Sequence, residues 1–300
     1  MIAGVITMVI NVFLNWVLIF GNLGAPALGV NGAAIASVVA SWTGFLVIAL
    51  FFGTAFGIPD GGKARPKDLR TSELWRMLRF GIPHGLNWFF EFAAFVVFIN
   101  VVVAKLGTTV LAAMMVVFNI NSVSFMPAFG LTSAGAILCG QAIGSRQLDQ
   151  VSRVFVRTLS VALIWQGSVG LIYLLAPSFL MRWFATSQAD TTQLVRIGAV
   201  LLALSAAWQL FDAVAMTVGE ILRSAGDTAW VLWARLVIAW FLFTPAAFLT
   251  VRWMGGGHVA AMLCVIGYLG LLAVVLAWRY RTGAWKKIDL TGAQPELATP

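Results

Sequence analysis

The sequence predicts an all-α polytopic membrane protein with eight transmembrane helices, and three observations predict it. Of its 300 residues 61% are hydrophobic and 10% charged, where a soluble domain carries about 25% charged residues. Mean hydropathy is +0.94. The apolar residues also fall in runs long enough for a hydrocarbon core, which takes roughly 20 residues of helix. No run shows the period-two alternation of a membrane β-barrel, so helices remain as the way to satisfy backbone hydrogen bonds in lipid.

The eight runs cover about residues 2–20, 30–56, 83–105, 109–142, 152–176, 191–225, 228–252 and 258–279. Residues 1–20 lack a basic leader and carry Asn11 and Asn15 within the apolar run, so the first span is expected to stay in the membrane. The formal charge of +8 invites nucleic acid as a partner, but the placement of the charges excludes it. Lys63, Arg65, Lys67, Arg70, Arg76, Arg79, Arg146, Arg153, Arg157, Arg223, Arg279, Arg281, Lys286 and Lys287 all lie on one side of the zigzag. The other side holds Lys105, Arg182, Arg196 and Arg252. That asymmetry puts Met1, the loop after the second span and the C-terminal tail in the cytoplasm. Cys139 and Cys264 fall inside spans with no pairing or metal-ligand spacing and read as buried thiols.

Residues 57–80 form the strongest boundary: Gly57, Pro59, Gly61 and Gly62 precede a basic, partly amphipathic stretch from Ser72 to Phe80. Two spans lie before it and six after. A short internal repeat relates Gly29-Val-Asn-Gly-Ala-Ala-Ile35 to Gly256-Gly-His-Val-Ala-Ala-Met262, as expected of a duplicated helical bundle.

Ionisable groups inside lipid are costly and mark candidate sites. Glu91 lies eight residues past Pro83, about 12 Å along a helix, with Asn87 and His84 on the same face. A carboxylate beside an amide suits a proton or Na+; a structural carboxylate is the alternative. In the sixth span Ser205, Gln209, Asp212, Met216 and Gly219 recur every three or four residues as one polar stripe, and Asp212 is expected to meet Glu91 across a bundle interior. Glu220 and Arg235 flank a tight hairpin at similar depth and read as a structural ion pair. In the junction Leu222-Arg-Ser-Ala-Gly-Asp-Thr228, Gly226 is expected to end one helix and Asp227 or Thr228 to cap the next. The fourth span carries Asn119, Ser122 and Met126 on one face before Pro127, where a kink is expected. Met114, Met115, Phe118 and Phe125 offer an adaptable apolar lining, with ordinary packing the alternative.

Signals for ATP hydrolysis, zinc chemistry or a catalytic nucleophile are absent, leaving transport driven by an ion gradient. Several ordered stretches resemble the MATE (multidrug and toxic compound extrusion) family. They are Phe211-Asp-Ala-Val with Leu222-Arg-Ser-Ala-Gly-Asp-Thr228, Phe80-Gly-Ile-Pro83 with Phe90-Glu91, Leu106-Gly-Thr-Thr109, Phe125-Met-Pro127 and Gly140-Gln-Ala-Ile-Gly144. Upstream, Asn15-Trp16, Leu18-Ile-Phe-Gly21 and Gly32-Ala-Ala-Ile-Ala36 resemble the family's fifth and sixth helices.

The resemblance implies helices five to twelve of a twelve-helix, two-lobed fold. Residues 1–56 would end the N-terminal lobe, 57–80 link the lobes, 81–285 form a complete six-helix C-terminal lobe and 286–300 a cytoplasmic tail. It implies an inner (plasma) membrane protein that exports cationic or amphipathic organic compounds against entering Na+ or H+, with no other cofactor. Glu91 and Asp212 match the acids of a C-lobe cation site, where Na+ is one possible ion, supported by Asn87, Gln209 and Asn119. Asn11, Asn15 and Ser37 match polar positions of an N-lobe ion site. Ser224 departs from the family's glycine, and Glu220 stands where a small residue is common. A flippase for lipid-linked sugars, which would line its cavity with arginines, and a nonfunctional fragment are the alternatives.

Overall fold

A computed structural model describes residues 2–54, 71–184 and 191–288. Among them there is no strand, and eight helical stretches are long and apolar enough to cross a membrane. The chain divides into two compact units, Met1–Leu74 and Trp75–Pro300. Residues 55–70 of the expected linker and 289–300 of the expected tail lie outside the described residues.

In the first unit, helix α1 (Ile2–Phe20) and helix α2 (Gly29–Thr54) form a hairpin. Gly21 and Gly24 take left-handed backbone (φ 74° and 80°) in the turn between them, a conformation that suits residues without a Cβ. The helices approach backbone to backbone: a Cβ on Gly32 would lie 2.4 Å from the Leu18 carbonyl oxygen. A carbonyl cannot swing aside as a side chain can, so Gly32→Ala is expected to force the helices apart. The cost is about 1–3 kcal/mol, readable as a lower thermal midpoint of the purified protein.

Helix α3 (Thr71–Val97) leads into the second unit and runs through Pro83. The amphipathic stretch assigned to the linker is therefore continuous with the third span. Pro83 removes one hydrogen bond to the Arg79 carbonyl without ending the helix. A π turn (Phe98–Val102) and a 3-10 turn (Val103–Leu106) complete this span. Helix α4 (Thr108–Gly144) stays one helix through Pro127. Helix α5 (Leu148–Leu175) follows, then a short helix α6 (Pro177–Phe184). Sequence periodicity does not anticipate α6, which begins at proline as helices often do.

Helix α7 (Thr191–Ser224) is the centre of this unit, touching α4, α5, α6, helix α8 (Thr228–Leu236) and helix α10 (His258–Arg281). Leu201, Leu202, Ile221 and Leu222 are accordingly fully buried. Between α8 and helix α9 (Thr244–Arg252) lies a second π turn, Val237–Phe243. Pro245 follows at once and cannot donate to a carbonyl one turn back, which favours a widened turn.

At the junction of α7 and α8, Gly226 has φ 85°. Its N–H donates to the Arg223 carbonyl (3.0 Å) and that of Asp227 to the Leu222 carbonyl (2.9 Å). The expected Asp227 cap is corrected: its carboxylate makes no cap bond and instead accepts from Arg279 Nε (2.7 Å) and Nη2 (3.2 Å). A bidentate charge-assisted pair outcompetes a single amide.

Candidate cation-coupling site

Glu91 sits on α3 with both carboxylate oxygens engaged. Arg235, from α8, donates to Oε2, and the Tyr268 hydroxyl, from α10, donates to Oε1 (3.2 Å). Asn87, one turn earlier on α3, is 2% exposed, and neither amide atom has a partner. Asn87, Glu91, Leu232 and Arg235 line a narrow crevice with no room for a water molecule. Above them Phe95 and Phe243 pack against the Tyr268 ring, at 6.0 and 5.1 Å, which fixes the phenol.

The expected pairing of Glu220 with Arg235 is corrected. Glu220 is held by Arg223 of its own helix, one turn on (2.6 Å), while Arg235 turns to Glu91. Both guanidinium groups pass Gly219, whose absent Cβ would lie 3.7 Å from each. Depth therefore does bring Arg235 beside the Glu220 region, but Glu220 already has a cation three residues away. Arg223 is itself buried, so it belongs to this cluster and not to the cytoplasmic fringe of charges.

Asp212, on α7, is partly accessible and accepts a hydrogen bond from Gln166 Nε2 of α5 (3.0 Å). The charges of Glu91 and Arg235 both act on it. Among the described residues it forms no ion pair, and no three His, Cys, Asp or Glu side chains converge as metal ligands would.

A second polar network joins α4 to α7. Gln209 Nε2 donates to Asn121 Oδ1 (2.7 Å) and to Ser124 Oγ (3.2 Å), and Asn121 Nδ2 lies 3.3 Å from Ser205 Oγ. The expectation for Asn119 is corrected: it is exposed, because Asn121, two positions on, takes the face toward α7. Gln209→Leu would leave Asn121 Oδ1 buried without a donor. A loss of about 1–3 kcal/mol is expected, with an added Asn121→Leu recovering part of it in the same unfolding measurement.

In the first unit Asn15 Nδ2 donates to Asn11 Oδ1 (2.9 Å), and Asn11 Nδ2 approaches Ser37 Oγ at 3.4 Å. These three residues thus cluster. Sequence reading missed Gln166, Tyr268, Asn121 and Ser124. Gln166 follows the apolar run Leu163-Ile-Trp165 inside a membrane span, which is a legible signal of a polar role.

Six spans around a cluster of acids and arginines define a polytopic helical membrane protein. The MatE family model matches residues 84–249, more than half of the chain, so this chain belongs to the MATE family. It is 28% identical over 289 residues to a Thermotoga maritima protein named "Probable multidrug resistance protein NorM", covering 96% of this chain and 60% of that one. It is 29% identical to the "Multidrug resistance protein NorM" of Aliivibrio fischeri, covering 83% and 53%. The chain thus spans about 60% or less of the length of these relatives. Its fold matches a crystal structure of MATE in complex with MaL6 at TM-score 0.84 and 19% identity, over 96% of this chain and 63% of that one.

Proposed function

We propose that the protein acts in secondary active efflux, exporting cationic or amphipathic organic compounds in exchange for entering H+ or Na+, with Asp212 and Glu91 at the centre of coupling. The multidrug names of its relatives support the substrate class. One observation carries the coupling. In this cluster three carboxylates (Glu91, Asp212, Glu220) stand with two guanidinium groups (Arg223, Arg235), which leaves one carboxylate, Asp212, without an ion-pair partner among the described residues. A charge of that kind inside a membrane protein takes up one monovalent cation or proton when the site opens to the side where that ion is plentiful. Coupling follows if the two conformations bind the ion with different affinity.

The asymmetry of basic residues supports an inner-membrane orientation with the α7–α8 turn and the C-terminal end in the cytoplasm. The polar trio Asn11, Asn15 and Ser37 supports an ion-binding contribution from the first unit. Reconstitution into liposomes tests the reading. A fluorescent organic cation is expected to move only when an opposing H+ or Na+ gradient is imposed, and to stop when an ionophore collapses that gradient. Movement indifferent to both gradients, or none under either, would sink it.

A further inference from the structure

We infer that Arg235 is a cation built into the chain that stands where a coupling ion would sit on Glu91. Asp212, with Gln166 as its partner, then carries the exchanged charge as a proton. The inference rests on the antiport reading and names its ion. Both Glu91 oxygens already have a partner: Oε2 is held by Arg235 and Oε1 by Tyr268. Arg235 is 6% exposed and cannot withdraw to solvent without leaving the largely covered Glu91 carboxylate unpaired. A second cation at Glu91 would meet the guanidinium at once.

Asp212 is the remaining acid, and its surroundings suit a proton better than a dehydrated metal ion. Among the described residues no three His, Cys, Asp or Glu side chains converge there as metal ligands would, whereas a proton on the carboxylate needs one partner, and Gln166 is in place as that partner. The groups facing the acid are Gln166 from α5, Glu91 from α3, Arg235 from α8 and Tyr268 from α10. Glu220, Arg223 and His84 surround Arg235 further out.

Gln166 is 0% exposed, and its Oε1 has no partner. A primary amide offers a donor at one end and an acceptor at the other, about a terminal torsion that is broad and nearly two-fold. Facing the carboxylate it donates through Nε2; turned by half a rotation it accepts through Oε1 from the protonated acid. The same two side chains therefore hydrogen-bond in both charge states, and no further ligand is needed.

The purified protein in detergent tests this without any transport step. With NaCl replacing choline chloride at constant ionic strength, the wild type is expected to show no Na+-specific rise in Tm. Arg235→Gln, which frees Glu91, is expected to gain a Na+-specific rise of a few degrees, and Arg235→Lys to stay insensitive. Saturable Na+ stabilisation of the wild type, or its absence in a folded Arg235→Gln, overturns the proposal. Should Arg235→Gln fail to fold, infrared difference spectra across a pH titration decide. A protonated-carboxyl band is expected in the wild type, absent in Asp212→Asn and shifted in Gln166→Leu; a band that persists in Asp212→Asn overturns it. Because both readouts are independent of drug movement, a protein that exports nothing would refute the antiport reading alone.

Discussion

Glu91→Gln is expected to destabilise the second unit by about 3–5 kcal/mol, the range seen when one partner of a buried ion pair is removed. The loss arises less from the missing attraction than from Arg235, left charged among Leu232, Leu236 and Ala239 with a neutral amide in place of its carboxylate. Tyr268 keeps an acceptor, since the Gln carbonyl can replace Oε1, so the phenol adds little to the loss. Adding Arg235→Gln removes the stranded charge, and the double variant is expected to recover most of the stability. Unfolding in graded SDS, followed by tryptophan fluorescence, reads both. A double variant as unstable as the single one would show that the pair is not what the substitution disturbs.

Asp212→Asn is expected to abolish gradient-driven export, by a factor of 100 or more on the order of magnitude of a lost proton-transfer group, while the protein folds normally. The substitution preserves shape and the contact with Gln166, because the Asn carbonyl accepts from Nε2 as the carboxylate did. It removes the capacity to change charge. Binding of an organic cation to the purified variant, measured by fluorescence polarisation, is expected to persist. Uphill movement in liposomes is expected to vanish. Retained uphill export would transfer the exchanged charge to another residue.

The spans were legible because their signal is large: runs of apolar residues interrupted by glycine, proline and basic clusters leave little freedom for a lipid-embedded chain. The positions of Glu91 and Asp212 were legible for the same reason, as an acid in such a run is conspicuous. Their partners were less so. Spacing along a hairpin fixes depth, and it placed Arg235 near Glu220, but it does not say toward which neighbouring helix a long guanidinium stem turns. Three-residue spacing within α7 gave Glu220 a nearer cation in Arg223. For α4, a helical face read across thirty-seven residues accumulates enough error in phase that Asn119 and Asn121 exchange roles. Asp227 was assigned by its local turn chemistry, whereas a residue fifty-two positions away claimed it.

The wide turn at Val237–Phe243 alters what the seventh span can present along its length. A π turn accommodates one residue more than an α-helix does over the same rise, so side chains beyond it are rotated by about 100° from an unbroken course. Arg235 is held at Glu91 near one end of the span, and near the other Arg252 is exposed and lies over the Phe248 ring at 5.7 Å. A helical wheel drawn through the whole span would superimpose two surfaces that the molecule keeps apart.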